Sequence, residues 1–204
     1  MRVRRKSSLK VPAREELVEA DLVDELSNDD LINAHLDWGP ARLEGLKRLR
    51  EAGRPWPEHW HWDWSKKADL LDLLAYHCFG IVHGGRMQGL MMVSTIAGKG
   101  RLPGQVGKPV LYIEYLESAP WNYRELAEKP EFLGVGVRLL EAAVEFSGEE
   151  GFGGRVSLHS LSQSTEFYRK HMTDLGLDSG HPQGLRYFEM NMEQVRTFVE
   201  GRKP

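Results

Sequence analysis

Apolar residues recur near helical spacing over residues 14–27, where Leu17, Val18, Leu22, Val23 and Leu26 fall among acidic positions and predict an amphipathic helix. Asn28 to Asp30 punctuate it. A second helix is expected after Gly39, with Pro40 in its first turn and Leu43, Leu46 and Leu49 as its apolar stripe. GRPWP (Gly53 to Pro57) ends it. A short helix at about 66–75 follows the run HWHWDW. The period then shortens. Residues 78–83 and 88–95 read as strands joined at Gly84-Gly85, hence a hairpin. Residues 98–109 are a Gly/Pro/Lys loop, and VLYIEYLES (Val110 to Ser118) is the clearest strand in the chain. An irregular connector, APWNYRELAEKP, leads to a helix over 134–150 in which Val135, Leu139, Ala143 and Phe146 repeat at four, four and three. Gly151 suits the position just past its end. A strand at 155–160, a helix at 162–173 and a strand at 185–191 complete the order. The pattern predicts a mixed α/β layer architecture with part of the sheet antiparallel.

Length and composition narrow the class. A chain of 204 residues can bury one full-sized core, so residues 14–204 are expected to be a single domain. The basic start, MRVRRKSSLK, reads as a frayed, flexible tail over 1–13 without the apolar stretch of a secretory signal. The net charge of −3 gives no broad nucleic-acid footprint. No apolar run approaches the roughly 20 residues that span a bilayer. Cys78 is the only cysteine, so no internal disulfide forms, which fits a reducing, cytoplasmic setting.

The chemistry concentrates at Gly134 and Gly136, which open the long helix. A helix N-terminus presents unpaired N–H groups and a positive dipole end, and glycine lets an anion approach the backbone. A dinucleotide fingerprint needs a third glycine where Leu139 stands. A phosphate loop of the Walker type needs Gly-Lys-Ser/Thr where Val137-Arg138 follow. Neither fits.

Taken in order, Glu131-Phe132-Leu133-Gly134-Val135-Gly136, the pair Leu139-Leu140, the strand VSLHS, Phe167-Tyr168 and Leu175-Gly176-Leu177 resemble the GNAT superfamily of acetyl-CoA-dependent N-acetyltransferases. The resemblance covers about residues 76–192. It implies the GNAT fold, a mixed central sheet with helices on both faces, with the two leading helices as its N-terminal pair. It also implies acetyl-CoA as acyl donor and direct attack by a primary amine in a ternary complex. The acceptor is a small molecule or peptide, with no nucleic acid and no membrane as partner, and a homodimer is compatible. By the same resemblance, Phe132, Leu133, Gly134, Val135 and Gly136 hold the diphosphate. Leu116, Glu117 and Ser118 meet the pantetheine arm, and Ser164 and Tyr168 complete the cofactor set. Tyr168 matches the general acid toward the departing thiolate. Three positions depart from the family pattern: Glu131 replaces Arg or Gln, Leu161 to Ser164 replace Asn-x-x-Ala, and the connector is longer.

Glu114 and Glu117 are both candidate bases. Strand alternation groups Glu114 with Leu116 and Ser118 and favours Glu114, although a β-bulge would reverse the parity, and a water chain to several groups, including His159, is an equal competitor for the base. Read as a strand, HWHWDW would place His59, His61 and Asp63 on one face and Trp60, Trp62 and Trp64 on the other. Two histidines and a carboxylate are plausible zinc ligands, but nothing downstream clearly completes a shell. No metal is expected, and His59, His61, Trp62 and His159 are expected to contact the acceptor. Two rivals stay open: a catalytically inactive acyl-CoA-binding sensor, fed by Glu131, and a non-enzymatic interaction protein using the aromatic run and basic tail.

Overall fold

A computed structural model describes residues 1–200; positions 201–204 of the expected domain lie outside the described residues. Eight strands form one mixed sheet: β1 (Arg2–Val11), β2 (Glu16–Asp24), β3 (Tyr76–His83), β4 (Arg86–Lys99), β5 (Pro109–Ser118), β6 (Val156–Ser160), β7 (Thr173–Leu177) and β8 (Arg186–Glu189). Their order across the sheet is β1-β2-β3-β4-β5-β6-β8-β7. β5 and β6 run parallel, whereas β1–β2, β2–β3, β6–β8 and β7–β8 are antiparallel. The flanking helices are α1 (Asn28–Glu51), α2 (Trp64–Lys67), α3 (Val135–Glu149), α4 (Thr165–Arg169) and α5 (Met192–Glu200). No helix among the described residues is long and apolar enough to cross a membrane.

The chain divides into two compact units. One comprises residues 1–92 and 115–139; the other comprises 93–114 and the chain from Leu140 on. β4, β5 and α3 contribute residues to both.

The first unit overturns the expectation for the N-terminus. Residues 2–11 are a strand, and 14–27 are not a helix. They form the β1–β2 hairpin, in which Val18, Ala20 and Leu22 alternate inward while Leu17 is exposed. Electrostatics explains the pairing. The acidic partner of the basic start is β2 itself: Arg2 and Arg4 reach Asp24 at 2.7 and 3.0 Å, and Lys6 reaches Glu19 and Asp21 at 2.8 Å each. Hydrogen bonds from Arg2 dominate in holding the Asp24 carboxyl below its usual range. Its contribution is therefore present above the unfolded carboxylate pKa and lost as pH falls through the folded one. Asp24→Asn is expected to cost about 1–3 kcal/mol in urea melts at pH 7 and to lose that deficit in strong acid. An equal deficit at pH 2 and pH 7 would contradict the ion-pair account.

The helix after Gly39 starts twelve residues earlier than its sequence signals indicate. Ser27 and Asp30 form a reciprocal capping box, so Asn28 to Asp30 open a helix rather than ending one. Pro40 lies inside α1. It removes the bond that would reach the carbonyl of Leu36, a residue on the exposed side of the helix. The buried stripe is Leu31, Ala34, Trp38, Arg42, Gly45, Leu46 and Leu49. Trp38 and Trp64, both fully buried, pack with Val23, Leu31, Cys78, Leu90 and Met92. The expected pair of leading helices is thus a hairpin and one long helix.

The β3–β4 hairpin turns at Gly84-Gly85 as expected, with φ of 58° and 75°. In the second unit the helix expected at 162–173 is shorter: a 3₁₀ turn at Ser162–Ser164 precedes α4. Leu175-Gly176-Leu177 belongs to β7, where Gly176 has φ 86° and the register shifts between Asp174 and Leu177.

Candidate active site

In the first unit, α3 starts from a tight turn at Gly134. Gly134 has φ 95°, a conformation L side chains rarely adopt, and its carbonyl accepts from Arg138 N–H as the first helical bond. Two clamps fix the approach. Asn122 Oδ1 accepts from the Phe132 N–H at 3.0 Å, while its amide nitrogen donates to Gln88. Lys10 and Leu133 exchange both backbone hydrogen bonds, at 2.8 and 3.2 Å. The amides of Phe132 and Leu133 are therefore spent inside the protein. Those of Val135, Gly136 and Val137, in the first helical turn, have no intrahelical partner. Glu131, the departure from the family pattern, is exposed, and its N–H donates to the Trp121 carbonyl. Arg138 Nε donates to the Ser8 carbonyl at 3.1 Å.

The turn meets the end of β5 across Gly89. A Cβ on Gly89 would lie 2.3 Å from Val135 Cγ1, 3.2 Å from the Glu117 carbonyl oxygen and 3.3 Å from Leu139 Cδ1. Only glycine admits this approach of α3 to β4 and β5. The structure thus brings together Leu116, Glu117 and Ser118 with the segment from Phe132 to Gly136.

HWHWDW is not a strand. Trp60 N–H donates to the Pro57 carbonyl and Trp62 N–H to the His59 carbonyl, both at 2.9 Å, so the segment turns on itself. Asp63 then caps α2 through the amides of Ser65 and Lys66. The alternating faces expected of the run do not exist. Among the described residues, no group of three or more His, Cys, Asp or Glu is placed to hold a metal ion. His61 is exposed, whereas His59 is buried. Burial, then Arg42 and His61, hold the His59 imidazolium down to a pKa of about 4, so this ring is neutral near pH 7. Its Nε2 lies 3.7 Å from Glu117 Oε1.

Glu117 is the hub of this unit. Arg42 donates to Oε1 at 2.9 Å and Trp64 Nε1 to Oε2 at 2.7 Å. Arg42 also donates to the Trp62 carbonyl at 2.6 Å. Burial pushes the Glu117 carboxyl up to about 7 against the opposing pull of Arg42, Trp64 and Lys67.

The second unit holds Glu114, His159, Ser164 and Tyr168. Glu114 is half-buried, and burial alone raises its pKa. Tyr168 is buried on α4, its ring 5.8 Å from that of Phe188, and burial raises its phenol. Ser164 is the residue preceding α4 and makes no side-chain cap. His159 is enclosed in a polar chain: Tyr112 OH lies 2.7 Å from Nδ1, and Asp178 Oδ2 lies 2.9 Å from Nε2. Arg101 donates to the same Asp178 oxygen at 2.7 Å.

No family model matches the sequence, and no curated protein matches it. Solved structures do. PaiA N-acetyltransferase from Thermoplasma acidophilum, in complex with coenzyme A, superposes with TM-score 0.54 at 17% identity, covering 85% of this chain and 99% of that one. Aminoglycoside acetyltransferase AAC(6')-Ib, in complex with coenzyme A and kanamycin, gives TM-score 0.55 at 16% identity over 90% and 99%. A GNAT-family acetyltransferase from Staphylococcus aureus gives 0.51 at 10% over 85% and 99%. The chain has the GNAT fold.

Several residues of this GNAT-fold site escape a linear reading. Arg42 was legible in principle: with α1 extended back to Asn28, a guanidinium falls on the apolar stripe between Trp38 and Leu46, and a charge there demands a buried partner. Gln88, Asn122 and Lys10, which fix the turn, carry no local signal. Their roles come from hydrogen bonds between segments distant in sequence.

Proposed function

We propose that this chain is an N-acetyltransferase that moves the acetyl group of acetyl-CoA to a primary amine by direct attack in a ternary complex. The observation that carries the reading is the start of α3. Three amides without intrahelical partners follow an exposed Gly134 in the left-handed region, beside the end of β5, in a fold whose solved examples include coenzyme A complexes. Diphosphate oxygens suit such amides, and the exposed Glu131 carboxylate is free to stay in solvent. The pantetheine arm lies along Leu116 to Ser118. Phe132 and Leu133 serve by holding the turn rather than by donating to phosphate.

Glu114 is the proposed base. Its carboxyl is raised by burial alone, which brings it nearer the operating pH. Both oxygens of Glu117, in contrast, are committed to Arg42 and Trp64. Tyr168 is the proposed proton donor to the thiolate. His59, His61, Trp62 and His159 are proposed acceptor contacts. Kanamycin bound to AAC(6')-Ib motivates polyamine-like acceptors in the first amine panel.

Thermal melting with acetyl-CoA tests the donor. A ligand at about 100 times its Kd adds roughly 2.7 kcal/mol of stability. No upward shift at millimolar acetyl-CoA would end the reading. Release of free CoA across an amine panel separates an enzyme from a sensor, which binds without turnover. Tyr168→Phe is expected to lower kcat by about 100-fold or more and to leave the acetyl-CoA shift intact. An unchanged kcat removes Tyr168 from the chemistry.

A further inference from the structure

The first unit already holds a primary amine against β5. The Lys67 Nζ lies 3.8 Å from the centre of the Tyr115 ring and 5.5 Å from that of Trp62. The two rings meet edge to face at 5.2 Å. This placement is fixed from both sides. Asp63 caps α2 at its start, and the Trp64 indole pins the same helix to Glu117. Lys66, one residue earlier, points to solvent with its side chain 84% exposed. Lys67 is half-buried, and loss of solvent lowers its pKa, opposed by the charges of Glu117 and Asp63 and assisted by Arg42. A desolvated lysine holds more of its amine in the neutral, nucleophilic form. Tyr115 immediately precedes Leu116 to Ser118, the segment assigned to the pantetheine arm.

We propose that Lys67 is a self-acetylation site. The inference rests on the acetyl-CoA reading above. Neutral Nζ attacks the thioester carbonyl, the N–C bond forms, and the C–S bond breaks. The proton lost from nitrogen ends on the sulfur, giving acetyl-lysine and free CoA thiol. An amide is far less reactive than a thioester, so the acetyl group goes no further. The product is an end state rather than a covalent intermediate. Acetylation also removes the cation from the Trp62 and Tyr115 rings, which changes what those rings can bind.

The test is incubation of the full chain with acetyl-CoA alone, followed by tandem mass spectrometry over time. Lys67 is expected to acquire acetyl at least about tenfold faster than exposed Lys66, at a rate independent of protein concentration. Lys67→Arg is expected to keep the melting shift with acetyl-CoA and to lose the modification. Gly134→Asp is expected to lose both. A full melting shift with Lys67 unmodified, or modified no faster than Lys66, overturns self-acetylation and leaves the acetyl-CoA reading standing. Absence of the shift in the wild-type chain overturns both. Undiminished Lys67 labelling in Gly134→Asp would show solution chemistry and equally overturn the proposal.

Discussion

Glu117→Ala is expected to destabilise the protein by about 3–5 kcal/mol, because it strands a buried guanidinium and a buried indole N–H. Arg42 is only 7% exposed, and its Nε already lacks a hydrogen-bond partner, so it has no solvent to fall back on. Trp64 is fully buried, and its indole N–H donates to Glu117 Oε2. One carboxylate therefore ties α1, α2 and β5 together. Glu117→Gln keeps the shape and one acceptor oxygen and is expected to cost distinctly less. It also carries a pH signature. Burial raises the folded pKa of Glu117 to about 7 from 4.5, so between those values the folded state binds more protons than the unfolded one. Stability from this group is full below the unfolded pKa and declines as pH rises toward 7. Glu117→Gln should flatten that decline in urea midpoints taken from pH 4.5 to 7.5. A loss below about 1 kcal/mol for Glu117→Ala would mean that Arg42 finds another partner, and the hub would lose its meaning.

How far the fold was legible follows from which forces act locally. α3 was readable because its apolar period and its flanking glycines are local and agree with one another. The β3–β4 hairpin was readable because Gly84-Gly85 states the turn. The β1–β2 hairpin was hidden. Its stabilising charges pair residues as far apart as Arg2 and Asp24, and the apolar residues of β2 mimic a helical stripe when counted without their partner strand. α1 was misplaced because Ser27-x-x-Asp30 can be read as a stop or a start, and only the capping geometry decides. The site shows the same division. The Gly134 turn announced itself through its glycine, which φ 95° favours. HWHWDW did not, because its alternation of polar and aromatic residues imitates a strand while its hydrogen bonds make turns. Glu117 stood in view as a strand carboxylate, yet its burial depends on Arg42, 75 residues away.

Gly134→Asp is expected to abolish the stabilisation by acetyl-CoA while leaving the apo protein folded. A Cβ at this position meets nothing within 4 Å, so there is no steric reason for collapse. The strain of φ 95° in an L residue costs about 1–2 kcal/mol. Aspartate is also a strong N-cap, and its carboxylate can accept from the second or third amide of α3, which offsets part of that strain. This capping is what defeats the ligand. In the proposed complex, the side chain would take the amides assigned to the diphosphate and set a negative charge beside that group. Gly134→Ala separates the two effects, because it carries the backbone strain without the charge or the acceptor. The expected order of melting shift with acetyl-CoA is wild type, then Ala with most of the shift kept, then Asp with none. If Asp retained the full shift, the anion would have to bind elsewhere, and the start of α3 would be only a helix start.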